Sequence, residues 1–247
     1  MDKAPYTPGD KGHQGSGMVF YMVSSAIVSV FINGVTVSAI LRATDLHAAP
    51  WQLGVLGSSL GAVYGVSCLL FGKCLGHVSP KAKFIAAASI YTVASFALTR
   101  VDSFWPLWTA VVMGLGLGGA LLWPTIEQAI CEGCSKLQIR RNLGAFSVSW
   151  SAGVTVGTFV VGPLYRASSV LPFYVFVTVG ILMLAAFSLT PSLSVNPPAR
   201  LLGNREDLQE EVPPGLSNKF LFLARLIDFL AYVSVSNLRA LFPKQGI

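Results

Sequence analysis

Residues Gly114 to Pro163 read GLGLGGALLWPTIEQAICEGCSKLQIRRNLGAFSVSWSAGVTVGTFVVGP. The run begins as a glycine-stippled apolar helix ending in Trp123-Pro124-Thr125-Ile126-Glu127. A short charged connection through Arg140-Arg141-Asn142 follows, and then a second apolar helix, rich in small residues, that closes on Gly162-Pro163. Such a pair belongs in a lipid bilayer. Acyl chains are as apolar as leucine, so helices there are held together by close packing through small residues rather than by hydrophobic expulsion. Ala145, Ser149, Gly153 and Gly157 recur at every fourth position and form one smooth ridge along a helix face. Gly114, Gly116, Gly118 and Gly119 give the preceding helix a similar expected surface, although each glycine costs up to ~1 kcal/mol of helix propensity in water.

Composition agrees with that reading. Only 11% of the 247 residues are charged and 53% are hydrophobic, whereas a soluble domain carries about 25% charged residues. The net charge of +6 does not mark a nucleic-acid surface, because the basic residues are scattered singly between apolar runs. Cys68, Cys74, Cys131 and Cys134 are the only cysteines. The Cys131-Glu132-Gly133-Cys134 pair has no second pair or nearby histidine to complete a structural zinc site, so no metal and no cofactor are expected.

The chain in order yields seven spans. Residues 1–17 are polar and read as a flexible cytoplasmic tail. Apolar runs then cover about 18–41, 51–71, 84–99, 104–126, 143–165 and 170–189, giving a six-helix unit over 18–190. Gly57, Gly61 and Gly65 repeat the four-residue spacing in the second. Residues 191–218, with prolines and mixed charge, read as a cytoplasmic linker, and 219–247 as a seventh transmembrane helix. With the amino terminus inside, eleven lysines and arginines fall in inner segments and five in outer ones. That asymmetry places the amino terminus in the cytoplasm and the carboxyl terminus outside; the membrane expected is the plasma (inner) membrane. Trp51, Trp105 and Trp108 fall near outer interfaces, as an aromatic belt requires.

Six spans, a charged linker and a further span resemble the major facilitator superfamily of secondary transporters. Between the second and third spans, Gly72-Lys73-Cys74-Leu75-Gly76-His77-Val78-Ser79-Pro80-Lys81 occupies the place of that family's glycine-and-basic loop. Gly72 and Lys81 match it and His77 stands in for a basic residue. Gly76 replaces the acidic residue, which puts any charge latch in that loop in doubt. Asn142-Leu143-Gly144, Ser149-Trp150, Gly153, Gly157 and Gly162-Pro163 are similar to the family's fifth-helix pattern, and Trp123-Pro124 with Glu127 to the end of its fourth. The resemblance implies an all-α polytopic bundle, a six-helix amino-terminal domain built as a 3+3 repeat plus a seventh helix. Against the family's usual complement of about twelve spans, the chain reads as truncated soon after a second half begins, or as one that assembles with a second copy or a complementary half. Val35-Thr36-Val37-Ser38 and Val233-Ser234-Val235-Ser236, followed by Leu41-Arg42 and Leu238-Arg239, are a thin echo between the halves.

The implied function is alternating-access transport of a small solute, with a coupling proton or ion as a further partner. The rival is a non-transporting membrane interaction or assembly subunit, or a remnant half-transporter. Ionisable groups at membrane depth cost ~2.5–3.5 kcal/mol to insert and are the first candidates for the pathway. Arg225 and Asp228, three residues apart in the seventh span, share a helix face and either neutralise each other or serve the solute. Glu127 reads as a coupling carboxylate or as a salt-bridge partner of Lys136, Arg140 or Arg141; Asn33 as a solute contact or an interhelical hydrogen-bonding group; Trp150 as a cavity wall or filler. Gly72, Gly76, His77, Lys81, Gly153, Gly157, Gly162 and Pro163 are the gating and packing positions. No nucleophile elbow, phosphate loop or histidine cluster points to an enzyme.

Overall fold

The computed structural model of the chain describes residues 11–132 and 134–190. The linker 191–218, the seventh span and the pair Arg225 and Asp228 lie outside the described residues. The described part holds six helices: α1 (Lys11–Asp45), α2 (Pro50–Cys74), α3 (Pro80–Leu98), α4 (Phe104–Cys131), α5 (Lys136–Ala167) and α6 (Leu171–Leu189). All six are long and apolar enough to cross a membrane. The two shortest, α3 and α6 at 19 residues each, extend ~28 Å, close to the ~30 Å of hydrocarbon.

Local chemistry sets the helix ends. α1 ends at Asp45, and His47 just beyond it has a φ of 55°, in the left-handed region. Ala48 N–H then donates to Ala43 O (2.9 Å) and His47 N–H to Thr44 O (3.0 Å), closing the turn before Pro50 opens α2. Ser79 caps α3 by accepting from Ala82 N–H at 3.3 Å. Ser135 and Gln138 form a reciprocal capping box that starts α5 at Lys136. Arg140, Arg141 and Asn142, expected in a connection, are therefore helical. Likewise α1 reaches back to Lys11, so the last residues of the expected tail continue the helix.

Adjacent helices run in opposite directions, and α1 lies alongside α5, α2 alongside α4, and α3 alongside both α4 and α6. Exchanging α1 with α4, α2 with α5 and α3 with α6 maps these pairings onto one another in the main, as a 3+3 repeat requires. The small-residue stripe of α5 forms the seam with α1. A Cβ at Gly153 would collide with Ala26 O, and one at Gly157 would sit 2.5 Å from Val30 O. Ser149 Oγ donates to Met22 O at 2.5 Å one turn earlier. Ala145 is not part of this seam; it is exposed, because the contact begins at Ser149. The α4 glycines do not form one ridge. Gly114 and Gly118 admit Ala94 and Tyr91 of α3, whereas Gly116 and Gly119 face Val63 and Tyr64 of α2. Residues two apart on a helix differ by about 200°, so α4 presents two smooth faces. Gly65 of α2 meets nothing.

At mid-height Phe31 of α1 stacks against Tyr91 of α3 (5.1 Å) and Phe176 of α6 (5.6 Å), all essentially buried. Gly34 makes room for the Phe176 ring.

The glycine stripe should be intolerant in proportion to contact. Gly157→Ala is expected to destabilise the protein by about 1–3 kcal/mol through overpacking. Gly144→Ala, at a helical position where a Cβ meets nothing, should be neutral or stabilising by up to ~1 kcal/mol. Thermal unfolding in detergent checks both.

Candidate functional site

The two ends of the bundle are tied by side chains that reach across helices. At the end where α1 finishes, Arg42 Nη1 donates to Ser169 Oγ in the α5–α6 turn (3.1 Å) and Nη2 to Val101 O just past α3 (3.3 Å). Asp102, 94% exposed, adds an ion pair at 3.8 Å. One turn on, Asp45 accepts from Tyr165 Oη of α5 at 2.5 Å. Nearby Trp108 Nε1 donates to Ser59 Oγ (2.8 Å), and the rings of Trp51, Trp105 and Trp108 lie about 6 Å apart in sequence along one corner of α2 and α4.

At the opposite end, Asn142 of α5 donates through Nδ2 to Ile130 O of α4 at 2.8 Å and approaches Cys134 Sγ at 3.5 Å. Cys131 and Cys134 are free thiols. Trp123 of α4 and Phe146 of α5 meet edge to face at 6.0 Å. Lys81 Nζ donates to Ser188 O and Thr190 O, both at 2.8 Å.

The described pathway candidates are not gathered into one site. Asn33 is 8% exposed and donates Nδ2 to Ser29 O one turn below it (3.1 Å). Glu127 is exposed on α4. Trp150 is 41% exposed on α5. Around the Trp123–Phe146 contact, Glu127 lies one turn one way and Trp150 one turn the other, so they stand roughly 12 Å apart along the helix axes. Of the loop positions, Gly72, Gly76 and His77 are exposed and only Lys81 reaches another helix. Gly153 and Gly157 face α1, while Gly162 meets nothing and Pro163 sits inside α5.

The cross-helix donors Arg42 and Lys81 were visible in the sequence only as loop charges, because each partner lies more than a hundred residues away or in a separate connection. A donor at a helix end with no acidic residue at i±3 or i±4 is the local signal available. Lys81 is such a residue, whereas Arg42 has Asp45 at i+3.

The profile of the family described as Major Facilitator Superfamily matches residues 16–243. The chain is 30% identical over 146 residues to the uncharacterized MFS-type transporter YcaD of Escherichia coli O45:K1 (strain S88 / ExPEC), covering 59% of this chain and 35% of the relative. The YcaD proteins of Escherichia coli O81 (strain ED1a) and O139:H28 (strain E24377A / ETEC) match with the same identity and coverage. The chain thus spans about a third of the length of the curated relatives it matches.

Proposed function

This chain belongs to the major facilitator superfamily, and on that premise we propose that it supplies a six-helix body of a secondary transporter that moves a small solute by alternating access. The observation that carries this reading is the surface of α5. One narrow stripe of α5 lies on α1, and it is the least buried of the six spans. Its remaining surface holds Val148 (71% exposed) and Phe159 (77% exposed), with Trp150 between them. A second six-helix body rocking against that surface is what the mechanism requires.

Trp150 and Glu127 are the described candidates that solute or a coupling proton can reach, with Asn33 deeper in the bundle. Arg225 and Asp228 belong to the same proposal through their shared helix face in the sequence. The reading is of a transporter part rather than an enzyme. The end where α1 begins carries Lys73, Lys81, Lys83, Lys136, Arg140 and Arg141, against Arg42, Arg100 and Arg166 at the other. That imbalance supports a cytoplasmic location for the former.

Vesicles containing the monomeric chain should show no gradient-driven solute uptake above protein-free vesicles, whereas assembly with a second six-helix body should produce it. Uptake by monomers would contradict the two-body mechanism, and a silent assembly would contradict transport. Orientation has its own readout. The exposed thiol of Cys74 should resist a membrane-impermeant maleimide on intact cells and react after permeabilisation; immediate labelling would reverse the topology.

A further inference from the structure

The connection from α2 to α3 delivers a cation whose partner lies 107 positions further along the chain. Lys81 is the second residue of α3, the end of a helix where a positive charge is unfavourable. Its ammonium serves a different helix. Nζ donates to Ser188 O and Thr190 O, both at 2.8 Å, where α6 ends. The last carbonyls of a helix have no internal partner, and α6 carries no basic residue in its own last turn. Nor do the local hydroxyls help. Ser188 Oγ donates back to Leu184 O and Thr190 Oγ1 to Ala186 O, leaving the terminal carbonyls to Lys81.

Apolar packing puts the ammonium within reach. One turn into the bundle, the buried rings of Phe84 and Phe187 lie 4.9 Å apart, and Phe20 closes on them at 6.3 and 6.1 Å. The start of α3 is thereby held beside the end of α6 before any charge is considered.

We propose that Lys81 is a latch internal to the bundle, a helix cap supplied from another helix. It makes the start of α3 and the last turn of α6 one mechanical unit. The latch acts on the partial negative charge of a helix end rather than on an acidic side chain. It therefore operates in a loop where Gly76 stands in the acidic position. A displacement of the 75–79 connection is transmitted directly to the exit of α6.

Hydrogen–deuterium exchange on the full chain in nanodiscs tests this without reference to transport. In Lys81→Met the amides of residues 186–190 should exchange about tenfold faster than in the wild type, because the last turn frays. Lys81→Arg should restore near wild-type protection, and amides in α1 and α5 should be unchanged in both. Unchanged exchange at 186–190 in Lys81→Met, or equal acceleration through all six helices, would overturn the latch. Should Lys81→Met not fold, Lys81→Ala, which also removes every donor, reads the same amides, and wild-type protection there overturns it equally.

Discussion

The contact on which the bundle depends is the backbone-to-backbone approach of α5 onto α1. In lipid, neighbouring helices gain only what packing and hydrogen bonding provide. Gly153 and Gly157 remove the side chains that would hold α5 away from the Ala26 and Val30 carbonyls. The two helices run parallel and in register. Met22 pairs with Ser149, and Arg42 with Ser169, at the same separation of 127 residues. With α5 held on one side, the other side of α1 is free to place Phe31 between Tyr91 and Phe176, which joins α3 and α6 to the same core.

A second regularity appears where the helices end. Backbone carbonyls at helix termini need donors, and at a membrane interface an unsatisfied one is costly. Asn142 of α5 reaches Ile130 O of α4, Lys81 of α3 reaches the end of α6, and Arg42 of α1 reaches Val101 O past α3. The first two are caps supplied by a different helix, and the third ties the connection after α3 to α1. The middle of the bundle is held by shape and its ends by these cross-helix donors.

The sequence made the shape legible and left the end caps hidden. Ser149, Gly153 and Gly157 could be read as one stripe because a four-residue spacing keeps a common face. The same reasoning grouped the α4 glycines too broadly. Four glycines within six positions cannot share one face, and Gly116 and Gly119 turn to α2 while Gly114 and Gly118 turn to α3. Apolarity located each span but not its ends, since polar residues such as Arg140 and Asn142 stay helical once Ser135 and Gln138 have capped α5. The partners of Lys81 and Arg42 depend on which helices become neighbours, which no local pattern encodes. For the pathway candidates, residue chemistry could nominate Asn33, Glu127 and Trp150. Only the helix register shows that they stand at different heights.

The most direct test of this account is a pair of spin-label distances in a variant whose four native cysteines are replaced. One pair joins Val19 of α1 to Val148 of α5, and the other joins Val19 to Phe159; all three positions are exposed. Parallel helices in the described register require the second distance to exceed the first by roughly 10 Å, from the ~1.5 Å rise over the intervening residues. Equal distances, or a shorter one to Phe159, would contradict the α1–α5 seam on which the rest of the bundle is built.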